Sequence, residues 1–172
     1  LESKKLHHSS ISDLPRTAVN PSFFAEELIH NTRLNHADKK VAFELKVSEV
    51  HHTKWHIEPH LTGHIVGNIL SNAIKYSEPN QSILVSLSDT DVSYRFQIQD
   101  HGVGISKDRI GQIFDPTTDC LKQHEYDSGL GLSLCQQLAK YLGGKISCTS
   151  NLGQGSMFML ELPRHDTSYF NQ

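Results

Sequence analysis

The stretch HIVGNILSNAIKYS, residues 64–77, decides how the rest of the chain is read. At 3.6 residues per turn, Ile65, Ile69 and Ala73 fall beside Val66, Leu70 and Ile74, which makes a broad apolar face that belongs in a core. Asn68, Asn72 and Lys75 share a polar stripe on the opposite side, because residues three and four apart are helix neighbours. An amide oxygen is a neutral hard ligand of the kind Mg²⁺ takes beside substrate phosphates, and a lysine one turn along is placed to meet a phosphate oxygen. Taken alone, the stretch reads as well as an ordinary amphipathic helix with a solvated polar face.

Working outward, VAFELKVS alternates, with Val41, Phe43, Leu45 and Val47 on one face of a strand. Before it, Asn20 and Pro21 read as the N-cap and first residue of a helix to about Ala37, which buries Phe24, Ala25, Leu28 and Ile29. HHTKWHIEPH is irregular, with a short strand near Trp55 and Pro59 as a break before the central helix. Beyond that helix, SILVSLSDT and DVSYRFQIQ form an antiparallel hairpin that ends at Asp100. Residues 107–114 predict a short helix, and 115–128, which lack periodicity, a mobile loop. A helix from Gly131 buries Leu132, Cys135, Leu138, Ala139 and Leu142 and stops at Gly143 and Gly144. KISCTS and MFMLELP close the chain as a second hairpin. The expected fold is an α/β two-layer sandwich, a mixed and mainly antiparallel sheet covered on one face by helices. Residues 1–19 are expected to be a linker, or the end of a preceding helix, with little fixed structure; 20–164 form the domain and 165–172 a tail.

Composition bounds the function. The chain has 172 residues, 37% of them hydrophobic, which suits one globular domain with a real core. A net charge of -3 without a long basic run argues against a nucleic-acid surface. No apolar run reaches the length of a membrane span, so no direct membrane contact is expected of this piece. Cys120, Cys135 and Cys148 are odd in number and lack C-x-x-C spacing, which predicts free thiols in a reducing compartment. A chain opening at Leu1 is expected to belong to a longer protein.

Three glycine-bearing stretches carry chemistry. In DHGVGI, residues 100–105, Gly102 and Gly104 let backbone approach a flat ligand, and Asp100 offers a carboxylate to an exocyclic amine such as that of adenine. Guanine presents a carbonyl at the corresponding place, and a buried carboxylate would reject it. By itself this stretch reads more readily as a turn with a capping Asp. In DSGLGLSLCQQL, Gly129 and Gly131 precede a helix whose first-turn amides suit a phosphate, although a hinge before a helix explains them too. GQGS, residues 153–156, needs no more than turn chemistry. His56, His60 and His64 are spaced by four, but no Cys or carboxylate completes a metal set, and surface or satisfied histidines are the expectation. Trp55 reads as packing, and Cys120 as a bystander thiol.

The order of these stretches is more telling than any one of them. N-x-x-x-N-A-x-K-Y on a helix, D-x-G-x-G after a strand, a loop, G-L-G-L opening a helix and G-x-G-S before a last strand together resemble the ATP-binding catalytic domain of two-component sensor histidine kinases. That family sits in a superfamily with gyrase, the heat-shock chaperone ATPase and mismatch-repair ATPases, and the likeness runs from Asn20 to Pro163. It implies the Bergerat sandwich, with ATP and Mg²⁺ as cofactors. Asn72 then looks like the Mg²⁺ ligand with Asn68 as a second, Lys75 like the phosphate lysine, and Tyr76 like the aromatic beside the nucleotide. Asp100, Gly102, Gly104 and Ile105 resemble the first glycine box; Gly129, Leu130, Gly131 and Leu132 the second; Gly153, Gly155 and Ser156 the third; Ile113, Phe114, Asp115 and Pro116 the lid's F box.

The ATP-hydrolysing relatives carry a carboxylate as general base four residues before the Mg²⁺ asparagine, where Asn68 stands here. An amide cannot take the proton, which favours transfer to a histidine, whose neutral ring is already nucleophilic, with Asn68 and Lys75 as the catalytic residues. The implied partners are a dimerisation domain bearing the phosphoacceptor histidine and a response regulator, on the cytoplasmic side of the cell. No His-acid box is found in the chain, and about 20 residues before the domain allow at most ~30 Å of helix, so that histidine is expected elsewhere. Asp127 replaces the usual first glycine of the second box, and Thr117 and Thr118 the aromatics after the F box. These departures motivate the rival reading, a docking module that keeps the fold and transfers no phosphate; an ATP hydrolase is the second rival.

Overall fold

The central helix begins five residues earlier than the quoted stretch. In the structure, a computed structural model that describes residues 14–48, 50–116 and 131–164, this helix is Pro59–Tyr76. Pro59 opens it and does not break the approach to it, since a missing N–H costs nothing in the first turn. Glu58 caps it, accepting from the amides of His60 at 3.2 Å and Leu61 at 2.6 Å. Ile65, Val66, Ile69, Leu70, Ala73 and Ile74 are buried, the face the periodicity predicts.

Before it come β1 (Thr17–Val19), α1 (Pro21–Asn35), β2 (Ala42–Val47) and β3 (Trp55–Ile57), which makes the central helix α2. After it come β4 (Ser82–Asp89), β5 (Ser93–Gln99), α3 (Lys107–Ile110), α4 (Gly131–Tyr141), β6 (Lys145–Asn151) and β7 (Gly155–Pro163). Asn20 caps α1 as expected, accepting from the Phe23 amide at 3.0 Å. The expectation of little fixed structure before residue 20 fails at β1, which pairs antiparallel with β3 as a separate small sheet. Three residues are too few to display a period, so only the tertiary pairing defines this strand.

The main sheet has the order β2-β4-β5-β7-β6. Only β2 and β4 are parallel, across a connection that includes α2; the other neighbours are antiparallel. α1 and α4 pack on either side of α2, and α2 also meets β5 and β7, so the helices cover one face. The core between the layers holds Ile83, Val85, Leu87, Phe96, Ile98 and Leu160 from the sheet against the apolar face of α2. The mixed two-layer sandwich expected from the sequence is therefore the fold. At the end of α4 the Gly144 amide reaches back to the Ala139 carbonyl and the Gly143 amide to the Lys140 carbonyl, which closes the helix and turns the chain into β6.

The edges of the sheet divide it into two ends. At one, Trp55 is fully buried, stacked on Tyr94 with ring centroids 4.9 Å apart, so it packs as expected. Its indole N–H donates to Asp89 at 2.8 Å, and the amides of His51 and His52 donate to the same carboxylate at 2.9 and 3.2 Å. At the other end, β5 delivers Asp100. Gly129 and Leu130 of the second glycine box, with Thr117, Thr118, Cys120 and Asp127, fall in 117–130, outside the described residues.

Candidate nucleotide site

Asp100 follows the last residue of β5 and is 5% exposed. Its own amide donates to the Ser156 carbonyl at 2.9 Å, which continues the β5–β7 pairing by one step. Its Oδ1 accepts from the Gly102 amide at 2.9 Å and the Ser156 amide at 3.2 Å. Both donors fall on one oxygen, which leaves Oδ2 to a ligand. Burial pushes this carboxyl above the usual aspartate range, opposed by those two N–H groups.

Two glycines allow this crossing of strands. Gly155 has φ +92°, and a Cβ there would stand 2.2 Å from the Asp100 carbonyl oxygen. Gly104 has φ +67°, and its Cβ would stand 2.0 Å from the Asn151 carbonyl oxygen. Neither position admits a side chain. The 100–105 loop is also tied to α2, since the Val103 amide donates to the Tyr76 carbonyl at 3.3 Å, and to the β6–β7 turn, since the Gly153 amide donates to the Val103 carbonyl at 2.7 Å.

These ties enclose a cavity of about 220 Å³. Asn72 and Tyr76 from α2, Asp100, Gly104 and Ile105 from the loop, Leu132 from α4 and Ser156 from β7 line it, all expected from the sequence. Apolar walls come from Ile105, Ile113, Leu132 and Phe158, with Val103 and Leu152 at the rim. Leu152, at a turn and 70% exposed, and the half-exposed Val103 carry the apolar lining of the cavity out to the surface.

Other expected residues stand nearby, and of these Asn68, Lys75 and Gly102 do not line the cavity. Asn68 lies one turn before Asn72, its amide N–H donating to the His64 carbonyl at 3.1 Å. Its Oδ1 is near Gly131, where a Cβ would be 3.3 Å away. The Lys75 ammonium sits 5.3 Å from the centroid of the Tyr76 ring. Gly102 is buried and serves through its amide. Asp115 of the F box lines the cavity, and Phe114 packs on the core.

Sequence reading missed Ser106, Arg109 and Gln112, which line the wall formed by α3 and its flanks, and Ser150 on β6. The Ser150 hydroxyl accepts from the Ile105 amide at 2.8 Å, donates to the Gly155 carbonyl at 2.7 Å and lies 2.9 Å from the Ser156 hydroxyl. A lone Ser on a strand gives no signal of this, and neither does an arginine two residues from Lys107 in a short polar helix. Cys148, on the neighbouring strand position, has its thiol pushed up to about 12 by burial and then by the charge of Asp100. Cys135, buried in α4, is pushed up to about 11 by burial. Among the described residues both are free thiols, and no three His, Cys, Asp or Glu gather so as to hold a metal ion. A divalent ion at this cavity would meet the neutral Asn72 amide oxygen and the ligand's own phosphates, a donor set that fits Mg²⁺, which takes few protein ligands.

A fold of this order, with a carboxylate and an asparagine facing one cavity, defines a class of nucleotide-binding domain. The chain belongs to the family described as Histidine kinase-, DNA gyrase B-, and HSP90-like ATPase, whose profile matches residues 57–166. The CAI-1 autoinducer sensor kinase/phosphatase CqsS of Vibrio cholerae is 33% identical over 100 residues, 58% of this chain and 14% of that protein. Sensor protein SrrB of Staphylococcus aureus is 30% identical over 95 residues, 54% of this chain and 16% of that protein. The chain thus spans about a seventh of the length of these curated relatives. Among solved structures, the mycobacterial sensor histidine kinase MprB superposes with a TM-score of 0.71 at 23% identity, over 88% of this chain and 99% of that one. Full-length ShkA, solved in complex with AMPPNP, gives 0.77 at 23% identity over 91% of this chain and 33% of its own. The nucleotide-free catalytic domain of histidine kinase ThkA gives 0.72 at 20% identity over 87% and 97%. These likenesses establish the fold. Among the described residues no helix is long and apolar enough to cross a membrane.

Proposed function

We propose that this domain binds ATP with Mg²⁺ and passes the γ-phosphoryl group to a histidine on a separate dimerisation domain, in a two-component signalling protein that hands the phosphate on to a response regulator. The observation that carries the reading is one cavity with the Asp100 carboxylate on one wall and the Asn72 amide on another. The base enters against Val103, Ile105 and Leu152, and its exocyclic amine donates to Asp100 Oδ2. Asn72 faces the phosphates, and Lys75, one turn along α2, supplies positive charge to them. Bound Mg²⁺ would neutralise charge on the phosphates. A neutral imidazole nitrogen attacks the γ-phosphorus, the P–N bond forms as the bond to the bridging oxygen breaks, and ADP leaves. No carboxylate base is needed for that step, in keeping with an amide at Asn68.

The AMPPNP bound by ShkA and the sensor-kinase names of the relatives support this reading. The domain belongs, on this reading, to the cytoplasmic part of its protein. The test is transfer of label from γ-labelled ATP in the intact protein. Acid-labile, base-stable phosphohistidine supports the kinase; bound ATP without it favours the docking module; multiple-turnover phosphate release from this domain alone favours a hydrolase.

A further inference from the structure

The geometry points to Ser150 as a positioning residue that fixes the Ser156 hydroxyl as an acceptor toward the base, so that Asp100 and Ser156 together select a 6-amino purine over a 6-oxo purine. The inference rests on the ATP site proposed above and adds to it the origin of its selectivity.

A serine hydroxyl has one proton to give and two lone pairs to receive. Ser150 has three partners: the Ile105 amide, which can only donate, the Gly155 carbonyl, which can only accept, and the Ser156 hydroxyl, which can do either. The Ser150 proton is therefore committed to Gly155, and the proton on the 2.9 Å line between the two hydroxyls must come from Ser156. Ser156 has then no proton left for the cavity it lines, only lone pairs. Its own amide meanwhile donates to Asp100 Oδ1, which holds the carboxylate beside it. Where Asp100 and Ser156 adjoin, the cavity wall thus presents two acceptors, and neither side chain offers it a proton. An amino group, with two N–H bonds, complements that wall; a carbonyl oxygen meets lone pairs from both. Loss of the Ser150 hydroxyl frees the Ser156 proton to turn toward the ligand and welcome a carbonyl.

ATP and inosine triphosphate differ at that ring position by an amino group against a carbonyl, so their dissociation constants, measured calorimetrically in Mg²⁺, read the effect. The domain is expected to prefer ATP, and Ser150→Ala to reduce that preference by roughly tenfold, with Ser150→Thr, which keeps the hydroxyl, restoring it. In the double variant Ser150→Ala with Ser156→Ala, the preference should equal that of Ser156→Ala alone, because Ser150 acts through Ser156. A merely structural serine would lower the unfolding midpoint and leave the ratio of the two constants alone; that result in Ser150→Ala overturns the inference while the ATP site stands. Should Ser150→Ala not fold, a wild-type preference in Ser156→Ala overturns it equally. Binding of neither nucleotide to the unaltered domain overturns both readings.

Discussion

Two buried aspartates in this domain are shifted in opposite directions by the balance of the same two effects, burial that raises a carboxyl and N–H donors that lower it. Asp100 has two backbone N–H groups on one oxygen, too few to offset burial, and its carboxyl lies above the ordinary range. A carboxyl raised in the folded state contributes stability below its unfolded pKa of about 3.9 that is lost as pH rises through the folded value. Asp100→Asn should therefore cost no stability near neutral pH while weakening ATP by roughly 10–100-fold, the scale of a hydrogen bond to a charged group. Calorimetry on that variant and the parent would check it. In the parent, acid should release ATP at a higher pH than an ordinary aspartate would allow. Asp89 is the reverse case: burial raises it, but the amides of His51 and His52 and the Trp55 indole bring it below the ordinary range. Its contribution is present above the unfolded pKa and lost as pH falls through the folded one. Trp55→Phe removes one donor from that carboxylate and should destabilise by about 1–3 kcal/mol in thermal unfolding at neutral pH. Asp100 was legible because a carboxylate between a strand and two glycines is unusual; Asp89 was not, because an Asp before a turn is common and its donors come from β3 and the loop before it.

Among the elements, those with a long period were readable and those made by contact were not. The apolar face of α2 and the alternation of β4 and β5 were plain in sequence. β1 was invisible, and Pro59 was taken as a break where it starts a helix. The signal for that start was available in Glu58 before Pro59, but Glu is an uncommon cap, since its longer chain must bend back to reach the first amides. Glu58→Ala should lower stability by about 1 kcal/mol and leave the ATP to inosine triphosphate ratio alone, measurable by urea unfolding and titration of the same sample. Gly155→Ala should do more. At φ +92°, with a Cβ aimed at the Asp100 carbonyl, the strand must part from Asp100, costing about 1–3 kcal/mol and weakening ATP binding together. In the site, the glycines and Asn72 were legible as motif; Ser150 and Arg109 were not, because only strand pairing brings Ser150 behind Ser156 and only the turn after the first glycine box brings Arg109 to the cavity wall.

At the scale of the molecule, the two carboxylates stand at opposite ends of the β4–β5 ladder, Asp89 opposite Tyr94 and Asp100 just beyond Gln99. The six residue steps along β5 from Tyr94 to Asp100 separate them by roughly 20 Å. Changes at such a distance without shared partners add independently, so Trp55→Phe should shift unfolding yet leave ATP affinity within about twofold, checked by titration below the variant's transition. Stability at one end and recognition at the other can then be altered separately.

The small β1–β3 ladder ties the entering chain to the foot of α2. Three residue pairs join β1 to β3, and β1 takes no place in the five-stranded sheet. β3 runs directly into the cap of α2, and Asn72 sits some 20 Å along that helix. The chain ahead of Thr17 is thus joined, through three residue pairs, to the foot of the helix that carries Asn72 and Tyr76. Three pairs hold that joint against six between β4 and β5 and seven between β5 and β7, so the seam at the chain's entry is shorter than those that frame the nucleotide cavity.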